Sequence, residues 1–148
     1  MTMQLTSTAF ANGQPIPQRF TRDGEDVSPP LRWANPPSQT RSFALVCDDP
    51  DAPRGTWVHW VRFNISADTH QFAEGEAADG VGEGTNDFGN LGYGGPAPPK
   101  GKPHRYFFKL YALDTTLDLA DGSTKAEVLA ACKGHILAEA ELMGKYQR

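Results

Sequence analysis

Two runs of alternating residues predict the main strands of the protein. Residues 57–65 alternate between a mainly apolar face and a mixed face. Residues 104–113 are largely apolar on both faces, which is typical of a central strand covered on both sides. An apolar run at 43–47 also predicts a buried strand, and it ends where aspartates and prolines begin, because proline cannot donate to a sheet ladder. The apolar face predicted for 57–65 comprises Trp57, His59, Val61, Phe63 and Ile65.

The last quarter of the sequence predicts one helix followed by one strand. Thr124 and Glu127 have the spacing of a capping box, and Gly134 suits the left-handed position beyond a helix. We therefore expect a helix over about 124–133 and a strand over about 136–146. Elsewhere the pattern predicts short strands near 5–9 and 28–33, and mainly loop over 66–92.

These elements predict a mostly antiparallel β protein with one short helix in its C-terminal region. Paired sheets or a sandwich fit the spacing of strands and turns. The length of 148 residues is that of one domain, so we expect residues 1–148 to fold as a single domain.

Charge and composition exclude several classes of partner. A net charge of -4 without a Lys/Arg cluster argues against nucleic-acid binding. Neither a signal-peptide pattern nor an apolar stretch of ~20 residues is present, so we expect no secretion and no transmembrane segment. Cys47 and Cys132 lie in apolar patterns, and buried free thiols suit a reducing cytoplasm, where we place the protein.

Acidic and imidazole side chains recur at the predicted strand ends. Asp49 and Asp51 follow one strand, while His59 and His104 stand near the starts of two others. If these ends meet, the four side chains line a cavity near the Gly94-Gly95 turn, whose free N–H groups suit an anion. A neighbouring carboxylate would raise the histidine pKa and keep the imidazole cationic.

Each of these features also has an ordinary structural explanation. A histidine such as His59 on an apolar strand is more often a satisfied core residue, and Asp-rich turns are mostly solvated. The sequence has no His-x-His or His-Glu-x-x-His spacing for a metal and no Gly-x-Ser-x-Gly elbow. We therefore predict no metal, no cofactor and no catalytic residue, and the residues alone leave the function open.

The combination of motifs resembles the phosphatidylethanolamine-binding protein family. Asp-Pro-Asp-x-Pro and Gly-x-x-His-Arg, in this order around a Trp-x-His strand, are similar to the two signatures of that family. Two further segments resemble its bacterial branch, the Raf-kinase-inhibitor-like proteins. The signatures lie at 49–53 and 101–105, Trp-x-His at 57–59, Gly-Gly-Pro at 94–96, and the branch segments at 23–31 and 134–138.

The resemblance implies a large antiparallel sheet packed on a smaller one, with a shallow anion pocket at one end. It implies that Asp51 and Arg105 support this pocket or pair with each other. It further implies a non-enzymatic binding or regulatory protein for a small anion, such as phosphate or a phospholipid head group, that inhibits a kinase or protease and forms a homodimer. The implied pocket residues are Asp49, Trp57, His59, Gly95, Pro96, His104 and Tyr106.

One departure from the family and one alternative function accompany this interpretation. Eukaryotic members continue past the last strand with a C-terminal helix that helps to close the pocket, whereas this sequence stops at Arg148. We therefore expect a small anion site to be retained more readily than lipid preference or kinase inhibition. The alternative is a small hydrolase or lyase in which Asp49 orients His104 as a general base.

Overall fold

A computed structural model describes residues 2–148, which form nine strands, one α-helix and one turn of 3₁₀ helix. The helix and the two longest strands before it lie within a residue or two of the bounds that the pattern predicts. In chain order the elements are β1 (Gln4–Thr6), β2 (Gln14–Pro15), the 3₁₀ turn (Gln18–Phe20), β3 (Leu31–Ala34), β4 (Ser42–Asp49), β5 (Trp57–Ser66), β6 (Gln71–Phe72), β7 (Gly82–Glu83), β8 (His104–Leu113), α1 (Lys125–Cys132) and β9 (Ile136–Tyr146).

The strands form two sheets, as the pattern predicts. The larger sheet has six strands in the order β2-β9-β8-β4-β5-β7, and the smaller has three in the order β1-β3-β6. All pairings are antiparallel except that of β2 with β9. Strand β4 lies in the middle of the larger sheet and is buried along its whole length, because the sheet is covered on both faces.

Two apolar clusters cover the two faces of the larger sheet. One cluster contains residues from both sheets, including Trp33 of β3 and Phe43 of β4. The other lies beneath α1 and includes Val46, Val61 and Val128. The buried free cysteines divide between them, Cys47 in the first cluster and Cys132 in the second.

Strand β5 does not keep the single apolar face that the alternation predicts. Val58 pairs with Asp48 and Trp60 with Cys47, so His59 is an extra residue between two consecutive partners. This is a β-bulge, which shifts the phase of the side chains along the strand.

A second irregularity in β5 lies around Asn64, whose φ of 53° is left-handed. As a result, Val61 and Phe63 pack beneath the helix, whereas Ile65 packs between the sheets. The predicted common face for His59, Val61, Phe63 and Ile65 is therefore wrong, because two bulges interrupt the alternation.

Helix α1 begins with the predicted capping box. Thr124 accepts a hydrogen bond from the Glu127 backbone, and the Glu127 carboxylate accepts one from the Thr124 backbone. The Nζ of Lys125 lies 2.6 Å from Oδ2 of Asp48, a buried residue at the end of β4, which ties the helix to the sheet. Among residues 2–148, no helix combines the length and the apolar character that a membrane span requires.

Candidate functional site

A cavity of about 220 Å³ opens at one end of the larger sheet. Because β4 is antiparallel to both β5 and β8, its C-terminal end adjoins their N-terminal ends. This topology brings Asp49 together with His59 and His104, as the sequence analysis anticipated. The cavity is lined by Asp49, Ala52, Pro53, Trp57, His59, Phe88, Ala97, Pro98, Pro99, His104 and Tyr106.

Asp49 holds the ring of His104. Oδ2 of Asp49 lies 2.7 Å from Nδ1 of His104, and Oδ1 accepts the backbone N–H of Asp51 at 2.7 Å. Since an ionised carboxylate only accepts hydrogen bonds, Nδ1 of His104 carries the proton of this bond. The ring nitrogen that remains for a ligand is Nε2.

His59 is held in the same way by a backbone carbonyl. Its Nδ1 lies 2.6 Å from the oxygen of Gly94, which can only accept, so Nδ1 donates and Nε2 is left for the cavity. Burial lowers the pKa of His59, and this effect outweighs the hydrogen bond to Gly94 and the charge of Asp49. The charge of Asp49 does raise the pKa of His59, but desolvation is the larger effect, so the expectation that a carboxylate keeps this imidazole cationic is wrong.

Aromatic rings form the wall between the two histidines and the surface. The ring of Tyr106 meets that of His59 at 5.1 Å, and Phe88 contacts both His59 and Trp57 at centroid distances of 5.5 and 5.4 Å. Trp57 is 37% exposed and forms part of the rim. The predicted residues Trp57 and Tyr106 therefore line the cavity.

The hydroxyl of Tyr106 is the neutral donor of the site. Burial raises its pKa, so the phenol stays protonated at physiological pH. The hydroxyls of Tyr93 and Tyr146 bond to Phe20 and Asp23, whereas that of Tyr106 has no partner among residues 2–148. A ligand oxygen in the cavity can therefore accept from it.

The glycine turn does not supply the free N–H groups that the sequence analysis expected. The N–H of Gly94 donates to the carbonyl of His59, and that of Gly95 donates to Oδ1 of Asp26. Neither Gly95 nor Pro96 lines the cavity, which begins one residue later in this segment. The backbone donors that we expected for an anion are occupied, and the turn positions His59 instead.

Asp51 and Arg105 pair with each other, which is the second of the two roles implied for them. Both carboxylate oxygens accept from the guanidinium at 2.9 Å, and Oδ2 also accepts the backbone N–H of Arg105. The guanidinium lowers the pKa of Asp51. This pair fastens the loop after β4 to the start of β8 and so fixes one side of the cavity.

Two contributions to the site were missed by the sequence analysis. Phe88 lies in the segment 66–92 that is predicted to be mainly loop, and a large aromatic residue in so polar a segment is a signal that can be noticed. Arg148 holds the lining segment that contains Pro98, since its guanidinium bonds to Asp23 at 2.8 Å and to the carbonyl of Pro98 at 3.3 Å. No local pattern indicates that contact.

The site therefore combines two Nε2 atoms, one hydroxyl and one carboxylate within mostly apolar walls. No Lys or Arg side chain among residues 2–148 lines it. Nor does this part of the chain bring together three or more His, Cys, Asp or Glu side chains in a way that would hold a metal. The thiol of Cys47 lies outside the cavity, and burial raises its pKa, which disfavours the reactive thiolate.

A family model described as phosphatidylethanolamine-binding protein matches residues 6–147. The match spans almost the whole chain and both signatures. The chain therefore belongs to the phosphatidylethanolamine-binding protein family.

Relatives and solved structures agree with this assignment. The chain is 52% identical to a UPF0098 protein of Methanothermobacter thermautotrophicus and 46% identical to one of Chlamydia muridarum, with 99% of both chains covered in each case. A structure of a phosphatidylethanolamine-binding protein homolog from Chlamydia trachomatis superposes with a TM-score of 0.94 at 43% identity, covering 99% of this chain and 98% of that one. YbcL of E. coli, described as a member of the mammalian family, gives 0.93 at 34% identity, covering 100% and 99%.

Proposed function

We propose that the protein is a non-enzymatic binding module whose cavity takes a small phosphate-like anion. The observation that carries this proposal is the convergence of His59, His104 and Tyr106 on one cavity, with Nδ1 of each histidine already bonded. The hydroxyl of Tyr106 donates one hydrogen bond, and a protonated Nε2 of either histidine donates another. Apolar walls strengthen these bonds, because a low local dielectric favours charge-assisted contacts.

Binding in this arrangement takes up a proton. A neutral imidazole whose Nδ1 donates to the protein offers only a lone pair at Nε2, and an anion offers only lone pairs as well. Since no Lys or Arg side chain lines the cavity, we expect one imidazole to be in the imidazolium form when the anion is bound. Where the free histidine is neutral, affinity falls about tenfold for each pH unit of increase, the slope for uptake of one proton.

Titration with inorganic sulfate tests this proposal, since sulfate does not change protonation near neutral pH. The imidazole nitrogen signals of His59 and His104 are followed by NMR, and we expect shifts that grow as the pH is lowered. In His104→Gln the affinity is expected to fall about tenfold to a hundredfold, the range for loss of one charge-assisted hydrogen bond. Unchanged imidazole signals at millimolar sulfate would contradict the proposal.

His135 offers a matched control for that variant. It forms an exposed pair with Asp114 at 2.8 Å, outside the cavity. His135→Gln therefore removes a comparable Asp–His contact and is expected to leave sulfate binding unchanged.

The bond between Asp49 and His104 supports an alternative proposal, a small hydrolase or lyase with His104 as general base. An oriented imidazole with a free Nε2 is what such a base requires. A screen of phosphate and carboxylate esters distinguishes the two proposals. Turnover that is lost in both Asp49→Asn and His104→Gln would favour the enzyme.

Further proposals concern partners and location, and they are supported by the family membership and, for the location, by the buried free cysteines. We propose a single domain over 1–148, a cytoplasmic location, a homodimer, and inhibition of a kinase or protease through protein contact. Light scattering coupled to size exclusion measures the oligomeric state. Cell fractionation measures the location, and capture from host extract with a His104→Gln control identifies a protein target that depends on the cavity.

A further inference from the structure

The residues that line the cavity change in character from its base to its rim. Those that carry its carboxylate, its imidazoles and its hydroxyl are all buried, whereas the exposed lining residues are all apolar or aromatic. An anion held at the base therefore has an apolar rim between it and the solvent. The buried polar residues are Asp49, His59, His104 and Tyr106, and the exposed lining residues are Pro53, Trp57 and Pro99.

The cavity is larger than a single anion requires. A cavity needs only ~10–15 Å³ to hold one water molecule, whereas this cavity offers about 220 Å³. A phosphate group at the histidines therefore leaves space along the rim. Binding sites for small organic molecules typically combine apolar walls with a few polar groups that fix the orientation of the ligand. The remaining space suits an organic part of the same ligand.

Trp57 stands directly beside the polar base. It is the cross-strand partner of Asp49 in the β4–β5 ladder, so the two side chains share a face with their Cβ atoms ~5 Å apart. The indole is held edge-to-face against Phe88 at a centroid distance of 5.4 Å, and 37% of Trp57 is exposed. An aromatic ring joined to the anion would meet this indole, and aromatic pairs are stabilising beyond the area that they bury.

The lining favours an uncharged organic part. Among residues 2–148, the only carboxylate in the lining is that of Asp49. Its Oδ2 bonds to His104, and its Oδ1 accepts the backbone N–H of Asp51. An ammonium group of a ligand would therefore compete with His104 for the one negative charge of the site.

We propose that the ligand is an aryl phosphate, that is, a phosphate monoester of a phenol, with the phosphate at the two histidines and Tyr106 and the ring against Trp57. This inference rests on the proposed anion-binding function and adds the chemical class of the organic group. The proline rings of Pro53 and Pro99 offer further apolar surface to the aromatic ring.

Calorimetric titration with methyl phosphate and phenyl phosphate at one pH tests the inference, because both esters carry a phosphate group and only one carries a ring. We expect phenyl phosphate to bind about tenfold more tightly. In Trp57→Ala this preference is expected to fall to about twofold or less. NMR of the wild type provides a second measurement, since the indole N–H signal of Trp57 is expected to shift more with phenyl phosphate than with methyl phosphate.

Leu91 offers a matched control for the loss of an exposed apolar side chain. It is 56% exposed, follows Phe88 in the same loop and lies outside the cavity lining. Leu91→Ala is therefore expected to keep the preference for phenyl phosphate.

The outcomes separate this inference from the function on which it rests. If either ester shifts the imidazole signals, equal affinities for the two esters or an unchanged preference in Trp57→Ala would overturn the aryl ligand and leave the cavity proposal intact. Phosphorylethanolamine that binds as tightly as phenyl phosphate would also overturn it, because the walls would then recognise a cation. If neither ester shifts the imidazole signals of His59 and His104, the anion-binding function fails together with this inference.

Discussion

Nδ1 of His104 lies 2.7 Å from Oδ2 of Asp49, although 55 positions separate the two residues in the sequence. Asp49 is 3% exposed and His104 is 9% exposed, so the bond is shielded from water. Each residue stands at the end of a long strand, and the antiparallel pairing of β4 with β8 makes those ends neighbours. The pair therefore depends on the register of the sheet, and it determines which nitrogen His104 presents to the cavity.

Asp49→Asn tests the part that this charge plays. The amide has nearly the same shape but carries no charge, so it no longer stabilises an imidazolium at position 104. We expect sulfate affinity to fall about tenfold to a hundredfold, since a hydrogen bond to a charged group contributes about 1.5–3 kcal/mol. Calorimetry measures the affinity, and the nitrogen shifts of His104 report whether Nδ1 remains the protonated atom. Full affinity in this variant would mean that the carboxylate plays no part in binding.

His59 is expected to make the stability of the protein depend on pH. Burial lowers its pKa, so the folded state favours the neutral ring. The stability linked to His59 is fully present above about pH 6.5, the value for an unfolded histidine, and is lost as the pH falls through the lower folded-state pKa.

Thermal melts over this pH range measure the effect. We expect the Tm of the wild type to fall with acidification more steeply than that of His59→Gln, and added sulfate to reduce the fall by binding the protonated ring. Parallel curves for the two proteins would show that His59 is not the titrating group.

Gly94→Ala is expected to close the cavity from the side of Phe88. An added Cβ would stand 2.5 Å from Cδ2 of the Phe88 ring, so the ring must move, and Phe88 lines the cavity. Such overpacking costs about 1–3 kcal/mol in the free energy of unfolding. We expect sulfate binding to be lost as well. The double variant Gly94→Ala/Phe88→Ala removes the obstructing ring, and its stability should recover in a denaturant titration relative to Gly94→Ala.

Arg148 is a positioning residue for the wall opposite Asp49. Its guanidinium joins Asp23 to the carbonyl of Pro98 without itself lining the cavity. Arg148→Gln is expected to speed amide hydrogen exchange at residues 97–101 and to weaken sulfate binding a few-fold. Arg19→Gln serves as the control, since Arg19 is also exposed and binds a carboxylate, that of Glu74 at 2.8 Å, but does not line the cavity. The same exchange rates in both variants would assign Arg148 no special role.

Local patterns in the sequence were sufficient to predict most elements of the fold. The alternation over 104–113 and the double apolar face identify the central strand β8, because side chains in a strand alternate with a period of two. The capping box at Thr124 is a contact between residues three positions apart, so it can be recognised from the sequence without knowledge of the fold. The end of β4 could also be predicted locally, because prolines follow directly after it in the sequence.

The sequence predicted the residues of the site and the contact between Asp49 and His104, but it did not predict which backbone donors are free. Asp49, Trp57, His59, His104 and Tyr106 all line one cavity, whereas the glycine turn lies behind it and donates its N–H groups to the protein. Sequence motifs identify which residue types stand near strand ends. They do not tell which donors the surrounding backbone has already used.

The sequence by itself determined the long strands, the helix and the candidate polar residues, because hydrophobic periodicity and capping act over a few neighbouring positions. It did not predict the two-residue strands β2, β6 and β7. Only the tertiary structure revealed the bulge at His59 and the Gly94 carbonyl that binds its ring. The same is true of the hydrogen bond from Arg148 to the carbonyl of Pro98. Each of these depends on the register between strands or on contacts between distant segments. That register is a property of the whole packed sheet, in which a single inserted residue changes the direction of every side chain that follows.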